Sequence, residues 1–589
     1  PFLDRVVAKD DVLLLRGSVR FYHGRQLHPR EYVNLGADST GFVGGRVLSV
    51  YPATEGLSFK VIRGIIESHL DGLLPLVREY LPRKVLKAAA VPSLPDALRM
   101  VHRPVSIAEA EHGRNRLAFE ELLFVHMLHV RINHLAREAR AGIKFSNRRD
   151  LTSALRAALP FTLTGAQTSA IREIVADMCS ERRMHRLLQG DVGSGKTVVA
   201  VFASLLAMEN GYQAALMAPT ELLAEQHHRT ISALLEPLAI RPLLVTGSLN
   251  AAARTEAAAR MAEPGPLFVV GTHALIQSAT SFAKLGFATV DEQHRFGVEH
   301  RAALSAKGDT PDVLLMSATP IPRSLALIGY GGLDVSTLDE RPAGRQPVTT
   351  VMRREKNRGK VLDFVRRETD KGRQAYVVYP VIEESEKTDL KAATTMFQTL
   401  SAGAFAGKTV ALLHGRIPAV ERDATMRAFR DGSIDILIAT TVIEVGIDVA
   451  NATVMLIEHP ERFGLSQLHQ LRGRVGRGAE ASYCILLGDF GPDAAGRLNV
   501  FAGTEDGFEI ARADLAIRGM GNLFGEEQSG EATFRVADPI RDERLSVEAR
   551  AAAEGLLATD PDLEMKEHAG MRGVLSARYA RALQLFRVG

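Results

Sequence analysis

Gly190-Asp191-Val192-Gly193-Ser194-Gly195-Lys196-Thr197 is the stretch on which the fold turns. It satisfies the pattern G-x-x-x-x-G-K-[ST], follows the apolar run Arg186–Gln189 and leads into another, Val198–Met208. Those flanks predict a buried strand, a tight turn and a helix, the setting in which such a loop cradles phosphates. Glycines let successive backbone N–H groups converge on phosphate oxygens, and the helix N-terminus adds its positive end. Gly190, Gly193 and Gly195 are therefore expected to shape a nucleotide-binding turn. Lys196 is expected to reach the β- and γ-phosphates of ATP, and the Thr197 hydroxyl to ligate Mg²⁺.

Outward from this loop the chain alternates buried apolar strands with helices. Strands are predicted at Ala214–Ala218, Leu267–Val270, Phe287–Val290 and Val313–Ser317. A second series is predicted at Ala375–Val378, Val410–Leu413, Ile434–Ala439, Thr453–Ile457 and Tyr483–Leu487. Runs this apolar suit parallel sheets covered on both faces. A multidomain α/β protein follows, with one parallel-sheet lobe over residues 156–343 and another over 344–505. The Pro- and Gly-rich segment 341–350 reads as a hinge between them. Residues 1–62 carry short β-like runs, Val12–Gly17 and Gly45–Val50. Residues 63–155 turn helical, with Phe119, Leu122, Leu123, Met127 and Val130 on one face. The basic stretch with Arg131, Arg137, Arg140, Lys144, Arg148 and Arg149 reads as a solvated helix end. Residues 506–589 form a C-terminal region.

Bulk properties exclude several classes. With 589 residues, 46% hydrophobic and 24% charged, the composition is that of an ordinary globular chain of several domains. No apolar run reaches the roughly 18–20 residues of a membrane span. Cys179 and Cys484 lie far apart and match no metal-ligand spacing, so a reducing compartment, the cytoplasm, is expected. The net charge of +3 permits nucleic-acid binding without arguing for it, and any basic track must be local.

Two further constellations complete an ATPase. Asp291-Glu292-Gln293-His294 directly follows Phe287–Val290, so its carboxylates project from a strand end into the crevice that holds the phosphate loop. Asp291 is expected to bind Mg²⁺ and Glu292 to polarise the attacking water. Two solvated acids on a surface turn are the rival reading, which loses beside a complete phosphate loop. No second metal ligand stands at a suitable spacing from His294, so it reads as a coupling residue near the γ-phosphate. Gln470-Leu-Arg-Gly473-Arg474-Val-Gly476-Arg477, on the second lobe, supplies permanent positive charge for the transferred phosphoryl group. Arg474 and Arg477 are the expected fingers across the cleft. A plain solvated basic helix would not interleave glycines in this way.

In order along the chain, these motifs resemble those of superfamily-2 helicases. Ala218-Pro-Thr220-Glu-Leu222 resembles motif Ia, Gly271-Thr272-His273 motif Ib, and Ser317-Ala-Thr319 motif III. Thr440-Thr441-Val-Ile-Glu-Val-Gly446-Ile-Asp448 resembles motif V, and the run from Gln470 to Arg477 motif VI. The resemblance implies two RecA-like lobes, with Phe161 stacking on adenine, Gln167 reading its edge, and Gly446 and Asp448 at the nucleotide. Thr220, Thr272 and Thr441 are suited to sequence-blind phosphate contacts. A site split between lobes would close with ATP and reopen after hydrolysis, stepping a strand held across both.

Narrower features are similar to the RecG and Mfd translocases: Asp291-Glu-Gln-His-Arg-Phe-Gly-Val298, Met316-Ser-Ala-Thr-Pro-Ile-Pro-Arg323 and Glu458-His-Pro-Glu-Arg-Phe-Gly464. Asp514–Gly530 resembles their translocation motif, a helical hairpin and loop containing Arg518 and Gln528; Met520 stands where proline is usual. Leu27-His-Pro-Arg-Glu-Tyr32 and Val50–Leu57 resemble the wedge domain of the RecG family, and Glu109–Leu128 its linker. No polymerase-binding module is visible, which separates the chain from Mfd. The RecG resemblance implies a bacterial double-stranded DNA translocase acting on forks, Holliday junctions, R-loops and D-loops, as a monomer associated with the nucleoid, with single-strand DNA-binding protein among its partners. It also implies an OB-fold wedge, in which Phe21 and Tyr22 would stack on bases and Arg20 and Arg25 would hold phosphate. Five strands make such a barrel, and residues 1–62 offer room for about three. The wedge is therefore expected to be partial and N-terminally truncated, with weakened fork binding and an intact ATPase. The rival functions are an RNA helicase, an Mfd-like transcription-repair translocase and a non-catalytic junction scaffold. Intact Lys196, Asp291, Glu292 and Arg477 oppose the scaffold.

Overall fold

The computed structural model describes residues 7–9, 11–21, 24–34, 47, 49–52, 57, 59–138, 142–277, 280–292, 304, 307–308, 310–319, 325, 333–342, 346–380, 386–440, 449–518 and 534–579. The chain divides into two compact units, residues 1–121 with 567–571, and residues 122–566 with 572–589.

In the first unit, β1 (Leu13–Phe21) and β2 (Arg25–Asn34) form an antiparallel hairpin with a register shift between Arg16 and Gly17. The remaining described elements there are helical, including Phe59–Leu73, Leu94–His102 and the start of the long helix Ile107–Glu138. The β-run expected at Gly45–Val50 is corrected. Its described positions, Val47, Ser49 and Val50, lie in no strand. The polar groups of Ser49 are spent on helices instead. Its hydroxyl donates to Val101 O at 2.7 Å, and its carbonyl accepts from Arg63 at 2.7 Å. Arg116 is fully buried yet paired with Glu120 and Glu79, each at 2.8 Å, which is what lets a guanidinium leave water.

The second unit holds both lobes. The first lobe is a seven-stranded sheet of β3 (His185–Gly190), β4 (Gln213–Met217), β5 (Leu243–Val245), β6 (Leu267–Gly271), β7 (Leu285–Val290), β8 (Asp312–Ser317) and β9 (Asp334–Leu338). Its order is β5-β6-β4-β7-β8-β3-β9, parallel throughout. The second lobe has six strands: β10 (Val348–Arg353), β11 (Gln374–Val378), β12 (Val410–Leu413), β13 (Ile436–Ala439), β14 (Ala452–Glu458) and β15 (Ser482–Leu487). Its order is β10-β15-β14-β11-β13-β12, again all parallel. These are two RecA-like lobes in a multidomain α/β chain.

Burial explains both sheets. All six residues of β7 are buried, and so is every residue from Val198 to Met208 of the helix Lys196–Glu209, which lies on the first sheet. Each such Val, Leu or Phe contributes about 1.5–3 kcal/mol through apolar area removed from water. Neighbouring β7, β8 and β3 end side by side, so the loops after them, at 291–292, 318–319 and 191–195, share one edge of the sheet.

The hinge expected over 341–350 is shorter than that. Val348 already opens β10, because the β-branched run Val348-Thr-Thr-Val351 pairs in register with β15. Glu505 ties this connection down by accepting from Val348 N at 2.6 Å and pairing with Arg341.

Candidate active site

Phosphate-loop geometry follows from its glycines. Gly193 and Gly195 adopt φ of +79° and +85°, the left-handed region in which a side chain is strained. A Cβ on Gly195 would stand 2.3 Å from Gln167 Nε2. A Cβ on Gly190 would stand 2.6 Å from Ser194 Oγ. The helix then starts at Lys196, whose ammonium donates to Gly190 O at 2.8 Å and Asp191 O at 3.0 Å. Burial pushes this ammonium below its ordinary range and Arg477 adds to that effect, against the pull of Glu292, Asp291 and Asp191.

Gln167 is buried, and both ends of its amide are committed. Its oxygen accepts from Thr164 N at 2.9 Å and its nitrogen donates to Ser194 O at 2.9 Å. The amide thus ties the start of the helix Gly165–Met178 to the phosphate loop. Reading a base edge would be an additional or replacement contact. Phe161 is 48% exposed and lines the same cavity.

The acid pair is arranged so that its two members differ. Asp291 is buried; its Oδ1 accepts from Glu292 N at 3.0 Å, and its Oδ2 lies 2.7 Å from His227 Nε2. Burial alone would raise the Asp291 carboxyl, but the His227 hydrogen bond and charge, with Lys196, hold it below the ordinary value. Glu292 moves the other way, raised by burial and by the Asp291 charge, against Lys196, Arg474 and the Ala318 N–H. Two neighbouring carboxyls driven apart in this way can divide ion binding from proton transfer. Glu292 also holds φ at +50°, a strained conformation of the kind that gathers at reacting centres.

On the second lobe, the helix Leu465–Arg472 delivers Gly473, Arg474 and Arg477. Asp514 caps its N-terminus, accepting from Leu465 N at 3.2 Å and Ser466 Oγ at 3.0 Å. Arg477 Nε donates to Gly473 O at 3.0 Å. Gly473 lies close against the phosphate loop: a Cβ there would stand 3.1 Å from Val192 Cβ.

The lobes meet around a cavity of about 590 Å³, lined by Phe161, Gln167, Gly193, Gly195, Lys196, Thr197, Asp291 and Glu292 from one side and by Arg474 and Arg477 from the other. Gln470 is half-buried on the arginine-bearing helix and is not among the lining residues. The donors at hand fit a hard divalent cation: an ionised Asp291 carboxylate and the Thr197 hydroxyl, with phosphate oxygens to fill the rest of its shell. Among the described residues no cluster of three or more His, Cys, Asp or Glu could hold a metal by itself.

Other expected site residues are not among those lining this cavity. Thr220 caps the helix Glu221–Leu235, its Oγ1 accepting from Leu223 N at 3.3 Å. Thr272 is 1% exposed and its N–H donates to Val245 O, so neither group is presented at the surface for a phosphate. Burial follows from its place directly after β6, inside the sheet. Phe21 ends β1, and Arg25 opens β2 and is exposed. Arg518 ends the helix Gly507–Arg518. Tyr22, His294, Thr441, Gly446, Asp448, Met520 and Gln528 lie outside the described residues.

Two residues at the site escaped the sequence reading. His227 sits on the helix Glu221–Leu235, where Leu223, His227, Thr230 and Leu234 line the cavity at helical spacing; plotting that face would have exposed it. His469 reaches across the lobes, its Nε2 lying 2.6 Å from Asp191 Oδ1. The lobes also touch through Arg427 and Glu225 at 2.8 Å, and through Leu222, which packs into the second lobe's core.

Comparisons with known proteins follow the same division of the chain. Residues 164–328 match the DEAD/DEAH box helicase family, residues 357–479 the helicase conserved C-terminal domain, and residues 504–577 the ATP-dependent DNA helicase RecG domain 3 C-terminal family. The ATP-dependent DNA helicase RecG of Synechocystis sp. is 44% identical over 540 residues, covering 92% of this chain and 65% of its own length. The Streptococcus pneumoniae RecG is also 44% identical, covering 88% of this chain and 79% of itself. The Escherichia coli K12 RecG is 43% identical, covering 90% and 78%. The chain thus spans roughly two thirds to four fifths of these relatives. A solved structure of RecG bound to a three-way DNA junction superposes with a TM-score of 0.66 at 42% identity, covering 90% of this chain and 70% of that one.

Proposed function

The chain belongs to the RecG family of ATP-dependent DNA helicases, and from that premise we propose that it burns ATP between its lobes to move along duplex DNA and remodel branched DNA. One observation carries the reading: a lysine-bearing phosphate loop, a divided acid pair and two arginines line a single cavity at the seam of the two sheets.

Each residue's part follows from its chemistry. Backbone N–H groups of Gly193 to Thr197, with Lys196, would neutralise phosphate oxygens. Asp291 and Thr197 would hold Mg²⁺, which supplies further positive charge at the β- and γ-phosphates. Glu292, raised by its surroundings, is the group able to accept a proton from the attacking water. Arg474 and Arg477 would meet charge as it develops on the transferred phosphoryl. Ser317 and Thr319 share a hydrogen bond at 2.8 Å, and Ala318 between them both lines the cavity and faces Glu292, which supports a role for motif III in sensing hydrolysis. The family's substrates supply the finer part of the proposal: forks and Holliday junctions, R-loops and D-loops, with a partial OB-fold wedge around the β1–β2 hairpin. The relative seated on a three-way junction supports this. Work as a monomer at the bacterial nucleoid, alongside single-strand DNA-binding protein, belongs to the same proposal and rests on family membership. No helix among the described residues is long and apolar enough to cross a membrane.

ATP turnover with forked DNA, linear duplex, single strands and RNA tests the reading. Forked DNA is expected to stimulate most, and Lys196→Ala to abolish turnover while leaving junction binding intact. Strongest stimulation by RNA, or undiminished hydrolysis by the variant, would refute it.

A further inference from the structure

We propose that His469 is a positioning residue: acting through Asp191, it sets the second lobe's arginines in register with the phosphate loop. This rests on the reading of the cavity as the ATPase site.

His469 lies on the helix Leu465–Arg472, three residues before its end, where the chain turns into Gly473 and Arg474. Its Nδ1 lies 3.0 Å from an Arg472 NH2 nitrogen. A guanidinium has donors and no acceptor, so Nδ1 must accept. The proton of the neutral ring is then on Nε2, which points at the Asp191 carboxylate 2.6 Å away. Arg472 is itself immobilised. It is buried, donates to Phe501 O at 3.1 Å and Thr504 O at 2.9 Å, and lies over the Phe501 ring at 4.3 Å. The imidazole is thus oriented and its tautomer fixed by the interior of its own lobe before it reaches the other.

On the receiving side, Asp191 is the second residue of the phosphate loop. Its Oδ1 also accepts from Val192 N at 2.6 Å, and its carbonyl accepts from Lys196 at 3.0 Å. Burial alone would raise its carboxyl, but the His469 hydrogen bond, with the Val192 N–H and the Lys196 charge, outweighs that and keeps it below the ordinary value. One residue therefore touches both the lysine of one lobe and the arginine-bearing helix of the other. The side chains of His469 and Asp191 are only 7% and 19% exposed. Another ion pair between the lobes, Arg427 with Glu225, is 39% and 28% exposed and is expected to add little. It serves as the control for simple adhesion.

The experiment uses the full chain, measuring DNA-stimulated kcat and the Kd of a fluorescent ADP. Displacing a catalytic group by about 1 Å costs up to about 100-fold, so His469→Ala is expected to lower kcat by about 10- to 100-fold. ADP affinity, set by the first lobe's loop, should stay within about threefold. His469→Gln offers an N–H toward Asp191 and a carbonyl toward Arg472, and is expected to recover kcat to within about fivefold of the native value. It also keeps the test decisive if the alanine variant misfolds. Combined with Asp191→Ala, the loss should not exceed that of the worse single variant. Arg427→Ala should change kcat by less than about threefold. The role is overturned if His469→Ala retains kcat, if ADP affinity falls in parallel, if the two losses multiply, or if Arg427→Ala is as damaging. Lys196→Ala separates the two readings. An inactive Lys196→Ala beside a fully active His469→Ala sinks the positioning role alone. Turnover surviving in Lys196→Ala sinks the cavity reading and this role with it.

Discussion

At the residue scale, the proposed chemistry turns on a division of labour between Asp291 and Glu292. His227 and Lys196 hold the Asp291 carboxyl below its ordinary value against its burial, while burial and that negative neighbour raise Glu292. Glu292→Gln keeps shape and removes the base. Turnover should fall by about 10²–10⁴-fold with nucleotide affinity near native, measured by single-turnover hydrolysis beside equilibrium binding. Gly195→Ala acts through the backbone. Its Cβ would meet Gln167 Nε2 at 2.3 Å at a φ of +85°, so the loop must shift and affinity for ADP is expected to drop at least about tenfold. An ADP titration checks it. That Lys196, Thr197, Asp291, Arg474 and Arg477 line one cavity was legible from sequence, because the spacing within each motif is local and the flanks are strands and helices. His227 and His469 were not, because their partners stand 64 and 278 positions away. Nothing in a linear reading pairs them.

Elements show a comparable limit. Ten of the lobes' strands announce themselves as apolar runs, nine of them because both their faces are covered; β12 is the exception, with only Leu413 fully buried. Within the two lobes the three that were not anticipated, β5, β9 and β10, all lie at sheet edges, where the anticipated β12 also lies; β2 of the hairpin was not anticipated either. An edge strand has one neighbour and less cover; β10 reads as one buried residue followed by partly exposed ones, and β5 is only three residues long. Periodicity was reliable in the long helix Ile107–Glu138, where Phe119, Leu122, Leu123 and Met127 are all buried. That face also carries His126, hydrogen-bonded to Ser546 at 3.0 Å. Burial first, then the charges of His129 and Arg550, push its imidazole from 6.5 down to about 3. A lowered folded value means that the unfolded chain takes up the proton first. Stability from this group is therefore intact above pH 6.5 and lost as pH falls toward 3, at up to about 1.4 kcal/mol per pH unit. Urea midpoints between pH 7 and 5 should fall less steeply in His126→Gln than in the native chain. Equal slopes would contradict the assignment.

For the whole molecule, the proposed function needs two sheets that each supply half of one site. Lys196 and the acid pair stand at the C-terminal edge of the first, and Arg474 and Arg477 follow a helix of the second. His469–Asp191 and Leu222 join the halves, with the more exposed Arg427–Glu225 pair adding little. Closure around nucleotide followed by opening after hydrolysis would then move whatever both lobes grip. The kinetics of Arg477→Ala test this sharing of one triphosphate most directly. A finger reaching in from the second lobe acts on the transition state alone, so DNA-stimulated kcat should fall by about 10³-fold or more while the Kd for ADP stays native. Hydrolysis at the native rate in that variant would show that the second lobe takes no part in the chemistry, and the account would be wrong.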